Sequence, residues 1–128
     1  MSFPNYVHIP AVATVPHCVI QLKAGDLIES RLGENRVTGV HDDGVKSILT
    51  INTTHGLIAT TAEQEWYLMG GVWARADSLT PGNFIAYYFG DKYSFVQVNS
   101  LGLIKPDRTY KLTTEKGEYV AAGHVTRG

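Results

Sequence analysis

Apolar residues along this chain fall into short runs broken by glycine, proline or polar clusters, and almost none of these runs has a helical period. Segments rich in Val, Ile, Thr, Tyr and Phe, bounded by turn residues, predict strands at Tyr6 to Ile9, Val15 to Leu22, Leu27 to Arg31, Arg36 to His41 and Lys46 to Thr53. The pattern continues with Leu57 to Thr60, Glu65 to Met69, Phe84 to Phe89, Tyr93 to Val98, Thr109 to Thr113 and Glu118 to Val125. Turns are expected at Gly33-Glu34-Asn35, Asp42-Asp43-Gly44, His55-Gly56, Gly90-Asp91 and Lys116-Gly117, where glycine or Asx chemistry permits tight reversals. The single helical candidate is Trp73 to Leu79, one or two turns stopped by Pro81-Gly82. Many short strands with regular turns predict an all-β fold in one domain spanning residues 1–128.

Alternation is imperfect in two places. Within Lys46 to Thr53, Ile48, Leu49 and Ile51 do not keep strictly to one face. The run Phe84-Ile85-Ala86-Tyr87-Tyr88-Phe89 is too apolar for a strand with one solvated side. A central strand or an interaction edge accounts for it, and the buried reading is the expected one.

Composition narrows the field of functions. A chain of 128 residues can bury a core of its own. A formal net charge of -1 gives no electrostatic reason to expect nucleic acid or an anionic membrane as partner. Cys18 is the one cysteine, so no internal disulfide is expected, and a reducing interior is the natural reading. No run of about 18 apolar residues predicts a membrane span. Pro4, Pro10 and Pro16 break up the N-terminal segment, so no signal peptide is expected, and an intracellular or virion-associated setting follows.

Metal and cofactor chemistry find little support. His17 and Cys18 are adjacent, so on a strand they point to opposite faces and neither share a metal nor form a nucleophile pair. Asp42-Asp43 and Glu63-Gln64-Glu65 read as solvated turn clusters. His8, His41, His55 and His124 read as structural or surface residues. No phosphate-binding glycine loop, dinucleotide fingerprint or metal-ligand spacing is present, and no cofactor is expected.

One family resemblance runs through the chain. Trp73, Ala76, Leu79, Pro81, Gly82 and Ile85 form W-x-x-A-x-x-L-x-P-G-x-x-I, and Leu22 to Ile28 resembles an L-x-x-G-D-x-V step. Val45 to Thr53 followed by Gly56-Leu57-Ile58 resembles a hairpin leading into a Thr-x-x-His turn. Tyr110 to Thr113 and Tyr119 to Gly123 resemble Y-D-L-T-V and F-V-A-N-G. In this order the motifs resemble the Hint superfamily, the self-processing domains of inteins and hedgehog proteins. The resemblance implies a compact fold of many short antiparallel strands.

It also implies a chemistry that can be checked residue by residue. The family uses an N-terminal Cys or Ser as nucleophile, a Thr and a His to polarise and protonate the departing amide, a later Asp and His, and a terminal His-Asn pair. By spacing, the nucleophile position falls near Ser2, and the motif threonine is Thr61. The motif histidine falls on Gln64, which has no proton to give near neutral pH. The later Asp and His fall on Lys111 and about Gly117, and the terminal pair on Arg127-Gly128. Arginine stays protonated, and glycine has no side chain to cyclise. His55 is no substitute: along a straight strand it would lie roughly 20 Å from Thr61.

Two readings follow. In the first, the chain is a catalytically silent Hint-like module with a structural or protein-interaction role, for example as a subunit of a phage particle. Trp66, Trp73, Tyr87, Tyr88 and Tyr93 would then carry contacts to other protein subunits. In the alternative, it is a self-processing domain with Ser2 as nucleophile and Thr61 as stabiliser. A β-barrel that binds a small ligand would need a pocket that only a structure can reveal.

Overall fold

The computed structural model describes residues 3–4, 8–9, 17–18, 22–90 and 92–128. Twelve strands are present among them: β1 (Phe3–Pro4), β2 (His8–Ile9), β3 (His17–Cys18), β4 (Leu27–Ser30), β5 (Gly33–Thr53), β6 (Gly56–Thr60), β7 (Glu65–Leu68), β8 (Val72–Arg75), β9 (Phe84–Tyr88), β10 (Tyr93–Thr114), β11 (Glu118–Ala121) and β12 (His124–Arg127). The all-β reading holds. Ten strands join in one antiparallel sheet with the path β11-β12-β7-β9-β10-β5-β4, and β1, β6 and β8 pair onto β10, β5 and β7.

Two long strands carry the architecture, and each replaces two shorter predicted ones. The expected strands at 36–41 and 46–53 are one continuous β5, because Asp42-Asp43-Gly44 makes a bulge rather than a chain reversal. Thr109 faces Gly44 and Tyr110 faces Asp42, which leaves Asp43 as the extra residue. Gly44 takes φ +82, and its N–H donates to Asp42 Oδ1 at 2.9 Å. The expected strands at 93–98 and 109–113 likewise belong to β10, with the register slipping between Ile104 and Asp107 around Pro106. β10 pairs with β9 through its first residues and with β5 through the rest, so it carries the chain from one part of the sheet to the other.

Other expectations shift locally. The tight turn between β4 and β5 is Arg31-Leu32, since Ser30 pairs with Gly33, so the reversal comes two residues before the predicted Gly33 turn. Trp73 to Leu79 is not a helix. Residues 72–75 form β8, which pairs with β7 after a Gly70-Gly71 turn, and only Ala76–Ser78 make a 3-10 turn. Cross-strand pairing of Trp73 with Tyr67 overrides the weak local helical tendency. The segment 118–125 divides into β11 and β12 through a two-residue loop, Ala122-Gly123, with φ +50 and +79.

The core lies on the inner side of this folded-over sheet. Phe3, Ile28, Ile48, Ile51, Ile58, Trp66, Ile85, Val98, Leu112 and Tyr119 are its fully or almost fully buried members. The apolar β9 is a central strand: Ile85 and Ala86 are buried, while Phe84 is 41 % exposed on the other face.

Candidate functional site

The turn after β6 positions the motif residues. Thr60 Oγ1 donates to the Thr61 carbonyl at 3.1 Å, and the turn docks on the 3-10 segment by Ala76 N–H to Gln64 O at 2.8 Å and Asp77 N–H to Ala62 O at 3.0 Å. These bonds hold Thr61 and Gln64 inside the protein, where they are 1 % and 0 % exposed. Gln64 is therefore not part of a solvated turn cluster. Its neighbours Glu63 and Glu65 point outward, whereas its amide points into the fold.

Gln64 Nε2 donates to Thr126 Oγ1 at 2.7 Å and to the Arg127 carbonyl at 2.9 Å. Thr126 Oγ1 in turn donates to the Glu65 carbonyl. The position expected to hold a proton donor thus holds an amide that ties β7 to β12. Around it, Phe3 packs edge-on against Trp66 at 6.0 Å and against Tyr119 at 6.2 Å between ring centroids. Burial pushes the Tyr119 phenol above its usual range, and the nearby Gln64 amide pulls it back only in part. The phenol stays protonated and supplies no base.

The remaining expected positions lie apart from this cluster. Lys111 is exposed on β10, opposite His41. Gly117 sits at φ +79 in the β10–β11 connection and accepts a hydrogen bond from Gly128 N–H at 3.0 Å. Arg127 is clamped: its guanidinium pairs with Glu65 at 3.1 and 3.3 Å and lies 4.7 Å from the centre of the Trp73 ring. Ser2 lies outside the described residues.

The five aromatic candidates do not form one surface. Trp66 is fully buried and belongs to the core, so it carries no external contact. Tyr87 packs at the far end of β9 between His55, Phe89 and His124, each with a ring centroid about 5 Å away. Trp73, Tyr88 and Tyr93 share the outer face of the sheet with Tyr67 and Phe95. Those last two were missed, although strict alternation holds the signal. Residues adjacent on a strand point to opposite faces, so Trp66 and Tyr67, or Tyr87 and Tyr88, cannot both be exposed.

His124 has the structural role expected of it. Its Nδ1 carries the proton, donated to the Ala122 carbonyl at 2.6 Å, and its Nε2 accepts from the Thr53 hydroxyl at 2.9 Å. Burial lowers its pKa to about 4. A surface cleft of about 400 Å³ is lined by Leu49, Ala76, Asp77, Leu79, Leu101 and Leu103. Its one charged residue, Asp77, is held by Arg75 at 2.9 Å. The cleft therefore offers apolar contact without a free charged group to orient a small molecule.

Solved structures with this arrangement are inteins. A DnaB intein from Synechocystis sp. superposes with a TM-score of 0.91 at 19 % identity, covering 99 % of this chain and 97 % of that one. The DnaX mini intein from Spirulina platensis gives 0.87 at 18 % identity over 100 % of both chains. The gp41-1 intein gives 0.85 at 15 % identity, covering 99 % and 98 %. This chain has the intein, or Hint, fold. No protein-family model matches its sequence, and neither does any curated protein sequence. At these identities the likeness is one of fold, and the Hint scaffold is retained with different residues at the expected catalytic positions.

Proposed function

We propose that this Hint-fold chain is catalytically silent and serves as a structural or protein-interaction module. Gln64 is the observation that carries the reading. A self-processing site needs a group there that can protonate a departing amide nitrogen, and imidazole does this near neutral pH. Gln64 has no such proton, and both N–H groups of its amide are already committed to Thr126 and Arg127.

Two further features support it. Arg127 is fixed by Glu65 and Trp73 and stays charged, so it neither accepts nor releases a proton. Tyr119, the other titratable group of the buried cluster, is held protonated by burial. No residue described around Gln64 can cycle a proton between pH 6 and 8.

The test is a fusion carrying a different reporter protein on each end, incubated with and without a thiol nucleophile and read by intact mass. A single full-length product after a day is expected. Release of either reporter, or joining of the two, would overturn the silent reading.

A further inference from the structure

The outer face of the sheet carries an aromatic row that the silent Hint scaffold does not use. In register across β8, β7, β9 and β10 stand Trp73, Tyr67, Ala86 and Phe95. Tyr67 and Trp73 meet at 5.0 Å with their planes inclined by 60°, which leaves a V-shaped notch. Tyr67 and Phe95 lie nearly parallel at 6.4 Å above the small Ala86, and Tyr93 stands edge-on to both. Arg31 stacks 4.6 Å from the Tyr67 ring centre and Arg127 4.7 Å from that of Trp73. These contacts fix the rings before any partner arrives.

We infer that this row is a docking platform for a proline-rich segment of a partner protein in the extended polyproline II conformation. The inference rests on the interaction reading above and names its surface and partner.

Charge comes first. Arg31 is paired with Glu118 at 3.0 Å and Arg127 with Glu65 at 3.1 Å, so the platform presents neutral rings and selects an uncharged partner. Dimensions come next. Four strands span three spacings, about 14 Å. That is the length of about five residues of polyproline II at 3.1 Å each. Proline rings fit notches between inclined aromatics, and such a segment has free backbone carbonyls for indole N–H and phenol O–H donors. Area excludes a second copy as the main occupant. Partly exposed rings of this number leave roughly 500 Å² accessible. A stable protein–protein interface removes about 800 Å² from each side.

The test uses the whole chain, a blocked decaproline peptide and a Gly-Ser peptide of equal length. Saturable NMR shifts are expected at the Trp73 indole N–H and at backbone amides of β7, β8 and β10, with decaproline only. Trp73→Ala and Tyr93→Ala should each weaken binding about tenfold while keeping a dispersed spectrum. Three results would overturn the inference: no saturable shift at millimolar peptide, an equal response to the Gly-Ser peptide, or a dimer in sedimentation whose contact residues are these same rings. Reporter release in the fusion experiment would refute the silent reading without altering these shifts, so the two failures can be told apart.

Discussion

His124 Nε2 and Thr53 Oγ1 lie 2.9 Å apart, and this bond joins the last strand of the chain to the end of β5. The imidazole is fully buried, with Tyr87 against its ring and exposed His55 beyond, so charging it is unfavourable. Its pKa is about 4 in the folded protein, against about 6.5 when unfolded. The unfolded chain therefore binds a proton that the folded chain refuses between these values. Stability contributed by neutral His124 is complete above pH 6.5, falls as pH drops, and stops falling near pH 4. The loss approaches about 3 kcal/mol in total. Urea unfolding of the parent and of His124→Gln at pH 7 and pH 4.5 checks this. The parent should lose roughly 2 kcal/mol more than the variant over that interval, and equal losses would exclude His124 as the cause.

The β11–β12 loop holds a strained alanine beside a crowded glycine. Ala122 takes φ +50, where a Cβ is penalised by about 1 kcal/mol, whereas glycine is not. Ala122→Gly is expected to raise stability by about 0.5 kcal/mol. Gly123 behaves in the opposite way. A Cβ there would lie 2.5 Å from Tyr87 Cε2 at φ +79, so Gly123→Ala should cost at least about 2 kcal/mol. Gly70→Ala is the control: it has φ +98 and open space, and should cost only the backbone share. Thermal melts of the three variants should rank Ala122→Gly above parent, then Gly70→Ala, then Gly123→Ala.

Gln64 links the motif turn to β12, so its removal should read as lost stability. Gln64→Ala removes two hydrogen bonds, leaves the Arg127 carbonyl unpaired and opens a cavity beneath Phe3, Trp66 and Tyr119. The combined cost is expected at about 2–4 kcal/mol in urea unfolding. A change below about 0.5 kcal/mol would mean that the amide does not hold the two strands together.

The fold was legible because its signals are local and repeated. Glycine and Asx turns set most reversals, and the spaced motifs from Leu22 to Gly123 kept the order of a Hint domain. Continuity across Asp42-Asp43-Gly44 was not legible, since the same residues make a turn or a bulge according to whether a partner strand runs alongside. Here β10 does. The replaced catalytic residues were visible from spacing alone. The bonding of Gln64 was not, because Thr126 is 62 residues away in sequence. The aromatic surface was half legible: composition marked the rings, and alternation, had it been applied, separates Trp66 from Tyr67.

That separation has a spectroscopic consequence. Trp66 is sealed in the core, while Trp73 is partly exposed on the outer face beneath Arg127. Iodide, a charged quencher that does not enter packed interiors, should reach Trp73 alone. The parent should therefore show two emitting populations, one quenched and one not. Trp73→Phe should leave blue-shifted emission that iodide does not diminish. Trp66→Phe should leave emission that is almost fully quenchable, in a protein destabilised by loss of the larger ring. Uniform quenching of both tryptophans in the folded parent would place Trp66 at the surface and return it to the interface residues.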